Sequence, residues 1–403
     1  MPNDREHSVE LSVQGVTLDV WDAIDVKISM ISPGSPFTVS LWWSDSSRST
    51  WSVLQDACKE GADCSIAIDG INQIFGVIEH RRDSGGREGG MMVVSGKSIA
   101  GLLHECDADP RFLLRGLSLA DIFAKFLEPI GLTAQLLDGS DQVNMVRRPR
   151  ALHIPVSSSR HPRRRHRAHS INIVDGWRAK PGQTIWALLD EACKRAGFLL
   201  WEAPFPDHRS IGLVVDVPKE SDEPVCSFVR QVNPDGTYRG NILHATHEIN
   251  GRNVPTEISM FANNQFSAQS DARLTASLIN EVRKGDFSIA DPIPRPWFRH
   301  TDEVHSVASA QREAGRMIAM ATSHHRVYEC TVKGYTDPWE HDAGLYAVNT
   351  IAVVKDQFMK IHENMLIVST QFHRSRKNGE TATLTMLPIG NLRVINAPSN
   401  SSV

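Results

Sequence analysis

Histidines are the residues of this chain that could most simply bind a metal. His324 and His325 are adjacent, and His305, His341 and His373 lie in the same third of the sequence. Zinc sites usually show short, recurring ligand spacings. These five histidines match no such spacing, and a chain with 17 histidines brings some of them close by chance. The sequence therefore predicts no metal site.

Cysteines could supply nucleophiles, metal ligands or disulfides. The six cysteines stand at positions 58, 64, 106, 193, 226 and 330 and contain no CxxC pair. Cys58 and Cys64 are close in sequence, but no further Cys or His stands at ligand spacing from them. Disulfide frameworks are typical of shorter, cysteine-dense secreted chains. We predict buried or half-buried free thiols; a Cys-His nucleophile pair stays open as an alternative without a supporting motif.

Sequence motifs for catalysis or phosphate binding are missing. The chain contains no G-x-S-x-G, no H-E-x-x-H, no Walker A loop and no G-x-G-x-x-G after a strand. Gly85-Gly86 and Gly89-Gly90 are glycine-rich, but no helix N-terminus follows that could cradle a phosphate. We interpret them as the tip of a hairpin. The sequence predicts a protein that is not an enzyme and has no cofactor.

One strongly basic block stands out against a net charge of −4. Residues 147–169 contain eight arginines, four histidines and no carboxylate. Three interpretations stay open: a solvated surface loop, a segment that docks on an acidic surface of another subunit, and a nucleic-acid-binding arm. No aromatic residue is interleaved with the arginines, which disfavours the third. The candidate partner-contact residues are Arg147, Arg148, Arg150, Arg163, Arg164, Arg165 and Arg167.

The remaining composition is that of an ordinary globular protein. Hydrophobic residues make up 41% and charged residues 22% of 403 residues, enough for roughly two to four domains. The longest apolar runs, such as residues 197–201, fall far short of the ~18 residues of a membrane-spanning helix. The polar N-terminus has no signal-peptide pattern, so we expect folding in a cytoplasm.

The two ends of the chain show strand patterns, and the middle shows helical ones. Strands are expected near residues 9–13, 25–30, 37–43, 64–68, 73–80 and 91–96, with an Asp69-Gly70 hairpin turn. Apolar spacing predicts helices over 117–130, 184–196 and 308–321 and a buried strand over 198–201. Further strands are expected at 327–332, 349–354, 365–372 and 381–387, with an Asn378-Gly379 turn.

The hairpin that begins near Ile74 has an echo near the end of the chain. Residues 74–82, a polar glycine-rich tip and a returning strand are matched by residues 366–374, their own polar tip and the strand 382–387. This echo favours two related β-barrels. The predicted fold class is α+β and β-rich, with two related β-barrel domains flanking an α/β middle region.

The expected domain division follows these patterns. We predict an N-terminal β-barrel over 1–103, an α/β middle region over 104–225 with the Arg-rich insertion 147–169, and strands with a polar connector over 226–300. A helix and a second β-barrel are expected over 301–395, followed by a tail over 396–403.

The order of these segments resembles the tail hub proteins of Mu-like contractile phages. Gly96-Lys97-Ser98 followed by Leu102 and Leu103 is similar to a short G-R/K-S segment of that family that leads to two leucines. Further resembling segments are residues 63–70, 75–79, 117–132, 181–201, 308–356, 366–368 and 383–386. The resemblance spans about residues 8–392. The insertion 147–169 and the long polar segment 263–296 depart from it.

The resemblance implies an architectural role. Such hubs are similar to the trimeric hubs of contractile tails and type VI secretion spikes, where two barrels per chain give a pseudo-six-fold ring. It implies a homotrimeric baseplate hub that joins a three-fold spike to a six-fold tail tube. The expected partners are the tail spike, the tube or tube-initiator protein, the baseplate wedge proteins and the tape-measure protein. The expected location is the virion tail baseplate, with assembly in the host cytoplasm.

Three alternatives to a phage hub stay open. The chain could be the hub of a phage-derived injection or secretion device. It could bind nucleic acid through the Arg-rich insertion. It could also be an enzyme, such as a cell-wall hydrolase fused to a hub, although no acid pair in the sequence supports that reading.

Overall fold

The computed structural model of the chain describes most of the sequence outside the Arg-rich insertion. The described residues are 7–18, 22–32, 34–43, 48–86, 89–112, 114, 117, 119–127, 132–136, 142–147, 179–196, 198–204, 211–216, 218, 222–251, 254–263, 273–279, 295–301, 314–315, 317–318, 321–322, 325–339, 344–376 and 379–392. No helix within these ranges is both long enough and apolar enough to cross a membrane.

The N-terminal region folds into an antiparallel arrangement of strands, the first strand set. Its elements are β1 (Val9–Val13), β2 (Val16–Leu18), β3 (Ala23–Ser29), β4 (Pro36–Trp43), α1 (Arg48–Ala57), β5 (Asp63–Ile68), β6 (Ile71–Gly86), β7 (Gly89–Ser98) and α2 (Ile99–Glu105). The spatial order is β3-β4-β7-β6-β5-β1-β2. Side chains along β7 alternate between buried and half-buried, as expected for a strand with one face on the core.

The predicted Asp69-Gly70 turn joins β5 to β6. Asp69 has φ +51° and Gly70 has φ +76°, and Ile68 pairs with Ile71 across the turn. Two consecutive positive φ values are what a two-residue type I′ hairpin requires, and an Asp-Gly pair tolerates them. This hairpin prediction is confirmed. The Gly-rich segment is a hairpin tip as well, because Gly86 pairs with Gly89.

The middle region places helices on a separate sheet. Its elements are α3 (Leu119–Leu127), β8 (Leu132–Leu136), β9 (Gln142–Arg147), α4 (Ile185–Ala196), β10 (Leu199–Pro204) and β11 (Ile211–Asp216). The sheet order β10-β11-β9-β8 is antiparallel throughout, so this region is helix-on-antiparallel-sheet. Thr184 caps α4, since its Oγ1 accepts a hydrogen bond from the Ala187 N–H at 3.2 Å. The helix predicted over 184–196 is confirmed, and the helix predicted over 117–130 is confirmed over Leu119–Leu127, since residues 128–130 lie outside the described ranges.

The C-terminal region forms a second strand set and a small separate sheet. Its strands are β12 (Cys226–Val232), β13 (Tyr238–Gly240), β14 (Ile242–Ile249), β15 (Glu257–Asn263), β16 (Arg273–Ile279), β17 (Pro296–Thr301), β18 (Arg326–Lys333), β19 (Thr350–Asp356), β20 (Ile361–Ser375) and β21 (Gly379–Pro388). The small sheet has the order β16-β15-β17. Ala314 and Ile318, from the helix predicted over 308–321, are buried against Ile258 and Met260 of β15.

The second strand set repeats the first. Within the described residues its spatial order is β14-β18-β21-β20-β19-β12-β13, and that of the first set is β3-β4-β7-β6-β5-β1-β2. When the strands of each set are numbered along the chain, both sets have the same spatial order, 3-4-7-6-5-1-2. In each set, the first five strands of the spatial order run antiparallel to their neighbours. These strands are β3-β4-β7-β6-β5 and β14-β18-β21-β20-β19. The sets differ in one orientation, because β12 runs parallel to β19 whereas β1 runs antiparallel to β5.

The hairpin echo read from the sequence belongs to this repeat, but its register was wrong. β6 and β20 each contain a register shift, at Glu79 and at Val368. Each bulge lies seven residues before the last residue of its strand, which is Gly86 in β6 and Ser375 in β20. Aligning the bulges shifts the sequence match, which paired Ile74 with Leu366, by three positions. A bulge adds a residue to one strand, so matching apolar patterns alone cannot locate it.

A single ladder, between β3 and β20, joins the two sets. In the described part of the chain it makes them one fourteen-stranded sheet. The prediction of a β-rich protein with few helices is confirmed. The division into two closed barrels stays a prediction. The sequence did not predict α1, and it gave no individual strands between residues 226 and 300.

The Gly76 position leaves no room for a side chain. A Cβ atom there would collide with the Lys97 carbonyl oxygen on β7, whereas Gly344 faces open space with an ordinary backbone conformation. We expect Gly76→Ala to lower the free energy of unfolding by roughly 1–3 kcal/mol, since the ladder must move apart. Urea denaturation measures this loss. Gly344→Ala is the control, and equal stability of the two variants would refute this packing argument.

Candidate assembly surfaces

The candidate partner-contact arginines fall almost entirely outside the described residues. Arg147 is the last residue of β9 in the middle sheet. Arg148, Arg150, Arg163, Arg164, Arg165 and Arg167 lie outside the ranges that the structure describes. Docking by this block therefore stays a prediction.

Among the described residues, the histidines and cysteines do not come together in a metal site. His305, His324 and His341 lie outside the described residues, and His373 lies on β20 at the junction between the strand sets. The described residues contain no cluster of three or more His, Cys, Asp or Glu that could hold a metal ion. None of the six cysteines forms a disulfide; five are buried and Cys106 is half-buried, which confirms the thiol prediction. Burial raises the pKa of Cys58 to about 11, so that thiol stays protonated and is a poor nucleophile.

The junction between the strand sets is a continuous antiparallel ladder. Seven residue pairs join β20 to β3, from Ser369 opposite Ser29 to Ser375 opposite Ala23. The ladder extends beyond β3, because the backbone N–H of Met30 donates to the Val368 carbonyl at 2.8 Å. This junction fixes the position of the second strand set relative to the first.

Polar side chains reinforce the outer face of the junction. Gln371 donates from Nε2 to both carboxylate oxygens of Asp25, at 2.8 and 2.9 Å. His373 places Nδ1 3.6 Å from Asp25 Oδ2, and Arg376 places Nε 2.7 Å from Asp22 Oδ1. Because these groups are half-exposed or exposed, each ion pair adds little energy. Their contribution is to select the register in which donors face acceptors.

The segment before β1 ties the first strand set to the β20–β21 hairpin. The Nδ1 atom of His7 lies 2.7 Å from Asp69 Oδ2, and its ring stacks on Tyr335 with centroids 5.0 Å apart. The Arg374 guanidinium donates to the His7 carbonyl at 2.8 Å and pairs with Glu380 at 3.2 Å. These contacts bring residues near the start of the chain against the last two strands.

A buried carboxylate organises the second strand set. Asp356, at the end of β19, pairs with Arg230 at 2.7 Å and accepts a hydrogen bond from the Tyr328 hydroxyl at 2.7 Å. It also accepts backbone N–H bonds from Phe358 and Met359, at 2.9 and 3.1 Å. Burial alone would raise the pKa of Asp356, but hydrogen bonds from Arg230, Tyr328 and the Met359 amide outweigh it and lower the pKa. The charge is thus retained in the core because it is fully paired.

Comparison by sequence gives no relative, whereas comparison by structure does. No protein-family model matches the chain, and no curated protein sequence matches it. The tail protein from Neisseria meningitidis MC58 has a similar structure over 97% of this chain and 99% of its own, with TM-score 0.69 and 19% identity. The 43 kDa tail protein of prophage MuSo2 from Shewanella oneidensis matches over 96% and 99%, with TM-score 0.66 and 17% identity.

The chain has the fold of prophage tail proteins. The resemblance to Mu-like tail proteins read from the sequence is therefore confirmed at the level of fold. A more distant similarity, with TM-score 0.54 and 8% identity, links this tail-protein fold to a chain of the Francisella PdpA-VgrG complex. That match covers 99% of this chain and 60% of the Francisella chain.

Within the tail-protein fold, a second buried carboxyl lies where the middle region meets the first strand set. Glu202 of β10 is buried beside Ser35 and Ser98. Burial raises the pKa of Glu202 to about 7, although the polar groups of Ser98 and Ser35 beside it favour the charged form. Sequence reasoning did not single out Glu202, because a lone Glu in a strand pattern carries no sign of its burial.

We expect Glu202→Gln to remove a pH dependence of stability. The folded chain binds this proton more tightly than the unfolded chain, whose Glu pKa is near 4.5, so wild-type stability falls as the pH rises from about 4.5 to about 7. The amide avoids burying a charge, and at about pH 8 it should raise the free energy of unfolding by roughly 1–3 kcal/mol relative to wild type.

Urea denaturation of both proteins at about pH 5 and about pH 8 measures this difference. Glu10→Gln, at an exposed position of β1, is the matched control and should show no pH-dependent gain. The same stability difference between Glu202→Gln and wild type at both pH values would contradict the assignment.

Proposed function

We propose that the chain is the baseplate hub of a contractile phage tail, a homotrimer that joins a three-fold spike to a six-fold tail tube. The observation that carries this proposal is the repeat of the seven-strand arrangement within one chain. Three chains would present six similar strand sets. One face of such a trimer can therefore match six tube subunits while the chains themselves keep three-fold symmetry with the spike.

The second strand set supports the proposed barrel form. Asn241, between β13 and β14, donates its backbone N–H to the Val229 carbonyl of β12 at 3.1 Å. Its Oδ1 accepts from the Val229 N–H at 2.8 Å, and its Nδ2 donates to the Ser227 carbonyl at 2.9 Å. These bonds continue the β12–β13 ladder to the residue before β14, so the start of β14, at one end of the strand order, lies near β12 at the other end. We propose that each set curls into a barrel in this manner.

In this role the protein acts mechanically and is not an enzyme. We propose contacts with the spike on one face of the trimer, with the tube or tube-initiator protein on the other and with wedge proteins around the outside. The tape-measure protein would pass through the centre. The Arg-rich insertion follows β9 of the middle region, and we propose that it docks on an acidic neighbouring subunit. The proposed site of action is the virion tail baseplate after assembly in the host cytoplasm.

Native mass spectrometry of the purified chain tests the hub proposal. We expect a species of three times the 44.8 kDa chain mass, because a hub must match a three-fold spike. The measurement is repeated over a range of concentrations and with the spike protein added. A monomer under all of these conditions would overturn the proposal.

A second candidate function is the hub of a phage-derived injection or secretion device. The similarity to the chain of the Francisella PdpA-VgrG complex favours it. Electron microscopy of particles that contain the chain separates the two functions. Tails attached to DNA-filled heads support the phage hub, and headless tubes support the device.

A further inference from the structure

We propose that neighbouring chains are joined by strand addition, in which β14 of one chain pairs antiparallel with residues 80–86 of β6 in the next. This inference rests on the proposed trimer and adds the surface and the register by which it closes. It follows from the internal repeat, because the chain already contains one junction between unlike strand sets. The second junction of a ring would repeat the first between chains.

The equivalence of strands identifies the two edges. In the spatial order of the sets, β14 takes the place of β3 and β6 takes the place of β20. Within one chain, β3 of the first set pairs with the last part of β20 in the second set. The equivalent contact would pair β14, of a second set, with the last part of β6 in a first set. In a ring of chains, the β3–β20 contact lies within each chain. The equivalent β14–β6 contact is therefore made with the neighbouring chain.

The bulges give the register on the β6 side. Glu79 and Val368 are the extra residues of the two long strands, so residues 80–86 are equivalent to residues 369–375. Phe372 lies four positions after its bulge and pairs with Val26 of β3. The equivalent of Phe372 on β6 is Asp83.

The ladders give the register on the β14 side. Val26 pairs with Phe37 of β4, which pairs with Gly96 next to the β6 bulge. In the second set, His247 pairs with Tyr328 of β18, and Tyr328 pairs with Met386 of β21. Met386 lies next to the β20 bulge, as Gly96 lies next to the β6 bulge. His247 is therefore equivalent to Val26.

These equivalences predict the residues that face each other between chains. Asp83 lies opposite His247 of the neighbouring chain, and Arg82 lies opposite Glu248. Both side chains of the Arg82–Glu248 pair are exposed in the single chain. Directly opposed residues of an antiparallel pair have Cβ atoms about 4.5–5.5 Å apart, and opposite charges there are stabilising. The register obtained from backbone pairing alone therefore also places opposite charges together.

Both edges lack a strand partner within the described part of the single chain. No strand pairs there with residues 80–86 on the side away from β7, where Gln55 of α1 donates a hydrogen bond to Asp83 at 3.4 Å, and none pairs with residues 244–249 of β14 on the side away from β18. Ile249 of β14 is 64% exposed, whereas Ile28, its equivalent in the β3–β20 junction, is 3% exposed. Leu243 of β14 is 61% exposed. An open strand edge with exposed apolar side chains fits pairing with another strand.

The contact is head-to-tail, because unlike surfaces of each chain meet. Such contacts form a closed ring when the rotation between chains closes. A self-pairing of two β14 edges would instead bury one surface on each chain and stop at a dimer. The size of a covalent product distinguishes these two arrangements.

Cysteine cross-linking of the full chain tests the proposal. The variant with both Arg82→Cys and Glu248→Cys places one cysteine on each edge, and opposed strand residues lie within disulfide range. Under mild oxidation we expect a covalent trimer on a non-reducing gel. A covalent dimer as the end product, or no product from a trimeric variant, would overturn the proposed edges.

Matched variants give the control and a second readout. Arg82→Cys with Glu10→Cys keeps one proposed edge and moves the other cysteine to exposed β1, so it should give no covalent trimer. Arg82→Glu and Glu248→Arg singly should each weaken trimer association by roughly tenfold or more, since three junctions gain like charges, and the double variant should restore it. Failure of the double variant to recover would contradict the register.

The experiment separates this proposal from the hub proposal. A wild-type trimer whose cysteine and charge variants behave like the controls would refute only the strand pairing. A wild-type chain that stays monomeric, with and without its spike, would refute both proposals.

Discussion

The antiparallel pairing of β20 with β3 is the interaction on which the arrangement of the whole sheet depends. β20 spans fifteen residues, and its first part pairs with β19 while its last part pairs with β3. The bulge at Val368 lies between these parts. Because a bulge increases the local twist and bends the strand, one strand can complete its own set and then extend the neighbouring one. The hydrogen bond from Ser369 Oγ to the Ile28 carbonyl lies immediately after the bend.

This shared strand makes the ends of the chain interdependent. The segment at His7 contacts Arg374 and Glu380, so the first strand set is held at its N-terminal segment as well as along β3. The core follows the same plan, since one continuous hydrophobic cluster contains residues of both sets, including Val26 and Phe372. A substitution that destabilises β20 is therefore expected to destabilise both strand sets. The middle region has its own core and depends less on this strand.

Local signals in the sequence predicted local structure, and they could not predict the junction. The Asp69-Gly70 turn and the helix α4 depend on backbone conformations that a few neighbouring residues determine. The β3–β20 pairing joins residues more than three hundred positions apart, such as Ile28 and Thr370, and no local pattern encodes such a partner. The α1 helix was missed because most of its residues are polar, and contacts of Leu54 and Ala57 with the core stabilise it. The candidate arginines could be read from composition, but composition contains no information on what they contact.

The two strand sets share a backbone plan and differ in the side chains at their outer edges. The edge that is covered within the chain, at β3, carries the buried residues Val26 and Ile28. The corresponding positions of β14 carry His247 and exposed Ile249, and the residue between them is Glu248, where β3 has Lys27. A junction formed as the chain folds can bury both residues of this face, because its edge never meets solvent for long. An edge that waits for a separate chain must stay soluble, and charges on open strands prevent unwanted pairing. A charged edge also rejects strands that lack the complementary charge, so the same residues that keep the single chain soluble would select the correct neighbour.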